Sequence, residues 1–151
     1  MSLRLRKAEY ADRDLLFCWA NDDVVRANAF HTEKIPYENH VKWFDKMMAD
    51  DSVYQYILYE DDIHIGQIRL NIEGGEALID YSISPEQRGN GYGSKMLQMI
   101  QEQIAADKIP YVTKIVGQVK NENHASARVF EKCGFLKKEL PAYIQYEKDI
   151  Q

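Results

Sequence analysis

The chain has 151 residues, of which 45% are hydrophobic and 28% charged, and its formal net charge at pH 7 is −5. This length predicts one domain, spanning residues 1–151, with room for a sizeable core. No apolar run reaches the roughly 18 residues of a membrane span, no signal peptide is evident, and the acidic balance argues against sequence-independent nucleic-acid binding. Cys18 and Cys133 lack metal-ligand spacing, which indicates two buried thiols in a reducing cytoplasm.

The hydrophobic periodicity along the chain predicts seven strands and four helices. Alternating or β-branched residues predict strands at 3–7, 53–59, 63–70, 77–83, 111–119, 135–140 and 143–146. Apolar residues at helical spacing predict helices at 11–19, 37–50, 92–109 and from Asn121 or Asn123 to Cys133. The polar segment 24–34 is expected to be irregular. The order β-α-α-β-β-β-α-β-α-β-β predicts an α+β fold, one sheet with helices packed on it.

A glycine-rich loop joins the fourth predicted strand to the third predicted helix. Gly89, Gly91 and Gly93 follow Arg88, and Lys95 comes soon after them. Glycine lets several backbone N–H groups point in one direction, and a helix N-terminus favours an anion. The loop therefore predicts a cradle for a pyrophosphate. Its spacing fits neither a P-loop nor a dinucleotide fingerprint, and the alternative is a corner whose glycines only turn the chain.

The pattern Arg-x-x-Gly-x-Gly resembles the coenzyme A loop of the GNAT acetyltransferase superfamily. The segment from Asn123 to Phe135 resembles a second motif of that family, Asn-x-x-Ala/Ser-x-x-x-Tyr-x-x-x-Gly-Phe. The order of elements also agrees with that family. The resemblance implies a mixed, mostly antiparallel seven-stranded sheet with four helices, splayed between its fourth and fifth strands. It further implies acyl transfer from acetyl-CoA to an amine. The four histidines are scattered without metal-ligand spacing, so no metal is expected.

The same resemblance implies which residues hold acetyl-CoA. Backbone contacts are expected at Ile83 and Ser84, where the pantetheine chain would lie in the gap between the splayed strands. Asn123 would hold the cofactor chain and Ser126 would line it. The complete set of cofactor-binding residues implied in this way is Ile83, Ser84, Arg88, Gly89, Asn90, Gly91, Tyr92, Gly93, Ser94, Asn123 and Ser126.

The first part of the chain indicates an acceptor class. Residues 19–31 and 35–44 resemble the amino-sugar N-acetyltransferases of nonulosonic acid (pseudaminic-type) pathways, and the ribosomal-protein N-terminal acetyltransferases have a similar front end. The resemblance implies a nucleotide-linked amino sugar as acceptor, with Arg26, Asn28 and His31 as its ligands. The alternative for these three residues is a solvated loop face.

Two residues that handle protons in many relatives are replaced in this chain. Phe130 stands where the second motif has a tyrosine, and Gln118 stands where some relatives have a glutamate base. The sequence offers replacements, each with a structural role as the alternative. Asp80 could act as a base through water, Tyr81 could donate to the leaving thiolate, and His31 could act as a base or a sugar ligand.

The cost of deprotonating the amine favours some acceptors over others. At neutral pH a lysine amine costs about 4–5 kcal/mol to deprotonate, whereas an α-amine costs about 1.4 kcal/mol. A site without an obvious base therefore favours an amine of low pKa, such as a sugar amine. We expect a cytoplasmic acetyltransferase with a small-molecule acceptor and leave a homodimer open. The alternatives are a protein N-terminal acetyltransferase, a CoA-binding module without activity and a nucleotide-binding partner domain.

Overall fold

The computed structural model describes residues 2–109 and 111–150. Within them the strands are β1 Leu3–Lys7, β2 Val53–Glu60, β3 Ile63–Glu73, β4 Glu76–Ile83, β5 Lys114–Val119, β6 Leu136–Glu139 and β7 Ile144–Asp149. The helices are α1 Arg13–Ala20, α2 Asp23–Asn28, α3 Tyr37–Met48, α4 Tyr92–Ala106 and α5 His124–Lys132. Single turns of 3-10 helix lie at Tyr10–Asp12 and Pro85–Gln87. The α+β prediction is confirmed.

The seven strands form one sheet in the order β1-β2-β3-β4-β5-β7-β6. β4 and β5 are parallel, and every other neighbouring pair is antiparallel. A parallel pair needs a crossover connection, and α4 supplies it here. The predicted mixed, mostly antiparallel sheet is confirmed.

The sheet opens between its two parallel strands. Glu76–Ile79 of β4 pairs with Lys114–Gly117 of β5. Further along, Asp80–Ile83 pairs with β3, while Gln118 and Val119 pair with β7. The two strands therefore part, and the predicted splay between the fourth and fifth strands is confirmed.

The sheet is covered on both faces. On one face, α4 and α5 contribute to a buried cluster with the sheet residues Tyr56, Ile68 and Leu70, through the helical side chains Met96, Leu97, Ile100, Ile104 and Phe130. On the other face, α1 and α3 pack on Ile57 through Leu16, Trp19, Phe44 and Met47. Each aliphatic side chain buried in this way contributes about 1.5–3 kcal/mol, so the two clusters fix the helices that flank the split.

The structure corrects two expectations from the sequence. The segment expected to be irregular contains α2, a fifth helix, whose N-terminus is capped by Asp22. The Asp22 carboxylate accepts from the amides of Val24 and Val25 at 3.1 and 3.2 Å, which supplies the signal that starts the helix. The expectation of two buried thiols holds for Cys133 alone, because Cys18 is exposed. None of the described helices combines the length and hydropathy needed to cross a bilayer.

Candidate active site

A cleft of about 730 Å³ lies where β4 and β5 part. One wall comes from the end of β4, the glycine loop and the first turns of α4 and α5, and the other comes from α2, the residues that follow it and β3. The predicted site residues that line the cleft are Arg26, Asn28, His31, Asp80, Tyr81, Ile83, Arg88, Gly89, Gly91, Tyr92, Gly93, Ser94, Asn123 and Ser126. Ser84 and Asn90 are not among the lining residues.

The N-terminus of α4 faces the cleft without a side-chain cap. Its N-cap is Gly91, with a φ of 78°, in the left-handed region that glycine adopts without strain. The first helical bond runs from the Lys95 amide to the Gly91 carbonyl at 3.3 Å, so the amides of Tyr92, Gly93 and Ser94 lack an acceptor within the helix. A Cβ atom at Gly91 would meet no atom within 4 Å. Unpaired amides, the helix dipole and open space fit a diphosphate.

The end of β4 presents backbone donors to the gap. The Ser84 amide donates to the Ile65 carbonyl at 2.8 Å, so Ser84 uses its backbone within the sheet. Successive residues of a strand point their backbone groups to opposite edges, and therefore Tyr81 and Ile83 point toward the gap. The Ile83 carbonyl accepts from Arg88 Nε at 3.2 Å. The amides of Tyr81 and Ile83 are thus the donors that face the gap, so the expected pair is right for Ile83 and wrong for Ser84.

Tyr81 and Ser126, which both line the cleft, contact each other. Their hydroxyl oxygens lie 2.8 Å apart. Burial raises the pKa of Tyr81 to about 12, with the Ser126 hydrogen bond opposing the shift. The Tyr81 hydroxyl therefore stays protonated at any physiological pH. The Asn123 side chain caps α5 by accepting from the Ser126 amide at 3.2 Å, and this cap holds Ser126 in place.

Phe130, at the position where the family motif has a tyrosine, closes the floor of the cleft. Its side chain is buried, stacks on Tyr146 with ring centroids 5.2 Å apart, and meets the edge of Tyr81 at 5.9 Å. A Cβ atom on Gly117 would overlap the Phe130 ring. Gly117 therefore makes room for Phe130, which contributes shape and no proton.

Arg88 joins the glycine loop to the start of α2. Its Nη2 donates to Asp22 Oδ2 at 2.5 Å, and its Nε holds the Ile83 carbonyl. Burial would raise the pKa of Asp22, but the Arg88 guanidinium and the amides of Val25 and Val24 outweigh it and lower the pKa. Asp22 is therefore ionised, and the pair carries no net charge.

Asp80 lies on the opposite face of β4 from Tyr81. Its carboxylate accepts from Arg69 Nη2 at 2.7 Å, and the Arg69 guanidinium lies 5.0 Å from the centre of the Trp43 ring. The Asp80 side chain remains 53% exposed, which leaves an oxygen open to the cleft.

Arg26, Asn28 and His31 reach the mouth of the cleft from α2 and the turn after it. Arg26 Nε donates to the Ala20 carbonyl at 2.7 Å, and its Nη1 donates to the carbonyls of His31 at 2.9 Å and Glu33 at 3.3 Å. Arg26 therefore shapes the turn that carries His31. The His31 side chain is exposed, and Asn28 is half-buried.

Sequence reasoning missed several cleft residues because their roles depend on strand pairing. Ser82 accepts from Gln67 Nε2 at 3.2 Å, and Gln67 in turn accepts from Gln55 at 2.8 Å. Alternation along β4 puts Ser82 on the same face as Asp80, a signal that the sequence does contain. Arg69 carries no such signal, since its place opposite Asp80 follows from the register of β3. Among the described residues, no group of three or more His, Cys, Asp or Glu side chains could hold a metal ion.

A family model described as an acetyltransferase (GNAT) domain matches residues 2–136. No curated protein sequence matches the chain. Spermidine N-acetyltransferase from Vibrio cholerae in complex with CoA and spermine has a TM-score of 0.85 at 18% identity, covering 97% of this chain and 95% of that one. The aminoglycoside acetyltransferase AAC(6')-Ib in complex with coenzyme A has a TM-score of 0.82 at 21% identity, covering 98% and 95%. RimL, a ribosomal-protein α-N-acetyltransferase in complex with coenzyme A, has a TM-score of 0.83 at 18% identity, covering 99% and 95%. At these identities the likeness concerns the fold.

Proposed function

We propose that this chain, which belongs to the GNAT family of acetyltransferases, transfers the acetyl group of acetyl-CoA to the amine of a nucleotide-linked amino sugar. The observation that carries the cofactor assignment is the uncapped N-terminus of α4, which faces the gap between β4 and β5. A diphosphate at that end would place the rest of the carrier along the gap. Acetyl-CoA, when bound, supplies the activated thioester.

The residues of β4 provide donors for the reacting carbonyl. The amides of Tyr81 and Ile83 face the gap, where a thioester oxygen that gains charge would accept a hydrogen bond. Fixed backbone donors of this kind stabilise the developing charge without reorganising during the reaction. We therefore assign oxyanion stabilisation to the backbone amides of Tyr81 and Ile83. A substitution of either side chain would leave these amides in place.

Tyr81 is assigned a hydrogen-bonding role toward the leaving sulfur. Its pKa of about 12 lies roughly 3.5 units above that of an ordinary thiol, so full proton transfer would cost about 5 kcal/mol. Donating a hydrogen bond to the developing thiolate has no such cost. The proton that the thiolate finally gains then comes from the amine, directly or through water.

Asp80 is assigned to the acceptor amine. Its carboxylate pairs with Arg69 Nη2 at 2.7 Å, and it can hold the amine in position and accept its proton through water. His31 is the second candidate base, on the exposed turn at the mouth of the cleft. The Asp80 side chain is 53% exposed and that of His31 is also exposed, so neither lies in a buried pocket, and we therefore propose an amine of low pKa.

The wall formed by α2, the residues that follow it and β3 is here called the acceptor wall. Its charge supports an acceptor that carries a negative group. Arg26 and Arg69 line this wall, and Asp80 of the neighbouring β4, which pairs with Arg69, is the one carboxylate among the described residues that line the cleft. Arg26 forms no ion pair with a described carboxylate. A wall with excess positive charge disfavours polycations such as the spermine bound in the Vibrio cholerae enzyme. A sugar linked to a nucleoside diphosphate matches it better.

A protein N-terminus is the second candidate acceptor. The same lack of a strong base favours an α-amine, which loses its proton at a cost of about 1.4 kcal/mol at neutral pH. The residues of α2 that line the cleft could then contact an extended peptide end. Positive charge on the wall would then select a peptide with acidic residues near its first position.

A thiol-release assay with acetyl-CoA and a panel of amines tests the proposal. The panel contains a uridine diphosphate amino sugar, an acidic N-terminal peptide, spermidine and a lysine peptide, with a non-binding variant as the background control. The amino sugar should turn over with the highest kcat/KM. Preference for spermidine or the lysine peptide would refute the acceptor assignment, and CoA binding without turnover of any amine would indicate an inactive CoA-binding module.

A further inference from the structure

Residues 22–31, here called the strap, cross the mouth of the cleft as an exposed bridge. α2 forms most of the strap, and none of its six residues is buried. A helix this short has little stability of its own, so its position depends on its contacts with the rest of the chain.

Three contacts join the strap to distant parts of the chain, on both sides of the splayed sheet. At its start, Asp22 binds Arg88 at 2.5 Å, on the β4 side. In its middle, the Ala27 carbonyl accepts from Lys120 Nζ at 3.1 Å, just after β5. At its end, Phe30 meets Tyr143, just before β7, with ring centroids 5.7 Å apart.

Arg88 is placed to serve the strap and a diphosphate at once. Its Nε and Nη2 are engaged by Ile83 and Asp22, while no acceptor among the described residues bonds its Nη1. The Arg88 side chain is 32% exposed and lines the cleft beside Gly89 and Gly91. A phosphate oxygen can therefore take the third corner of the guanidinium without displacing the other two, and each charge-assisted bond would restrict the motion of the side chain.

We propose that Asp22 is a positioning residue that ties the strap to Arg88, so that CoA binding at the glycine loop orders the strap and with it the acceptor wall. Arg26, Asn28 and His31 all lie on the strap, so the wall that faces the acceptor is completed once the cofactor is in place. The assignment of the strap to the acceptor side rests on the proposed function. The coupling itself requires only CoA.

Hydrogen exchange of residues 22–31, measured by mass spectrometry with and without saturating CoA, tests the coupling. In the unmodified chain, CoA should slow exchange in the strap about fivefold or more, which is the lower range of ordinary coupling between sites. Asp22→Asn keeps the helix cap, because asparagine caps as well as aspartate, and removes the charge that holds Arg88. It should lose the CoA-dependent slowing, and Asp22→Glu should restore part of it.

Asp23→Asn is the matched control. Asp23 is the next residue, its side chain is 91% exposed, and it pairs with Lys34 at 2.7 Å and not with Arg88. This variant should respond to CoA as the unmodified chain does. Should Asp22→Asn fail to fold, Asp22→Ser also caps a helix and carries the same test.

The outcomes separate this inference from the proposed function. Slowing that persists in Asp22→Asn, or a strap that ignores bound CoA in the unmodified chain, would overturn the role of Asp22 while leaving the cofactor assignment intact. Failure of the unmodified chain to bind CoA in a calorimetric titration would overturn the cofactor assignment instead.

Discussion

Replacing Gly91 by leucine should separate CoA binding from folding. Gly91 has a φ of 78°, and an added Cβ atom would meet no atom within 4 Å, so the cost to folding is chiefly backbone strain. That strain is about 1–2 kcal/mol, which lowers the Tm of a chain of this size by about 2–8 °C. The fold should therefore survive the substitution.

The effect on CoA should be much larger than the effect on stability. A leucine side chain at the N-cap of α4 would cover the amides of residues 92–94, where a phosphate must approach. Losing one hydrogen bond to a charged group costs about 1.5–3 kcal/mol, which weakens CoA binding about 10- to 150-fold. Isothermal titration calorimetry measures this change directly.

Gly74→Leu is a control with matched backbone strain. Gly74 also has a positive φ, 58°, and no atom within 4 Å of an added Cβ, but it lies in the turn between β3 and β4. At CoA concentrations 100 times the Kd of the unmodified chain, CoA should stabilise this control by about 2.7 kcal/mol, and a variant that binds 100-fold more weakly by about 0.4 kcal/mol. Equal CoA affinities for the two variants would refute the role of the glycine loop.

Three further substitutions test the rest of the site and the fold. Tyr81→Phe removes the hydroxyl that we assign to the leaving sulfur, so kcat should fall about 10- to 100-fold with an unchanged KM for acetyl-CoA; an unchanged kcat would contradict that role. Gly117→Ala should lower stability in urea by about 1–3 kcal/mol because its Cβ overlaps Phe130, and Phe130→Leu in the same chain should recover part of the loss. Hydrogen bonds from Gln145 and two lysines lower the pKa of Glu147 from 4.5 to about 2. The resulting stabilisation is present above pH 4.5 and lost as the pH falls through about 2, so the deficit of Glu147→Gln in thermal unfolding should shrink over that range; a constant deficit would contradict it.

The glycine loop could be predicted from the sequence because a loop that exposes backbone amides at the start of a helix needs glycines at particular positions. Glycine adopts the positive φ at Gly89 and Gly91 without strain, and the apolar period that follows them marks the start of a helix. The order of strands and helices could also be predicted, because hydrophobic periodicity is a property of each local stretch of sequence. These two features sufficed to predict the glycine loop and the N-terminus of α4, which the structure places at the cleft.

The backbone donors of the cleft could not be located to the residue. The backbone amides of Ser84 and Tyr81 point to opposite edges of β4. Which of them faces the gap is decided by the register in which β4 pairs with β3. A shift of this register by one residue would turn each backbone amide to the other edge, and the local sequence does not distinguish the two registers. The expected pair Ile83 and Ser84 therefore included one residue on each edge.

Contacts between distant parts of the chain account for the rest. Asp22 and Arg88 lie 66 residues apart in sequence, and the aspartate is recognisable locally only as a helix cap. Arg69 reaches Asp80 through strand register, and its packing on Trp43 depends on how α3 lies on the sheet. The acceptor wall is thus assembled from pairs that no single stretch of sequence contains.

Backbone amide NMR during a CoA titration tests the central claim most directly. If the N-terminus of α4 binds the diphosphate, the amide signals of Tyr92, Gly93 and Ser94 should show the largest shifts, and pantetheine, which lacks the diphosphate, should leave them in place. The account would be contradicted if CoA bound while these three signals stayed fixed, or if pantetheine shifted them equally.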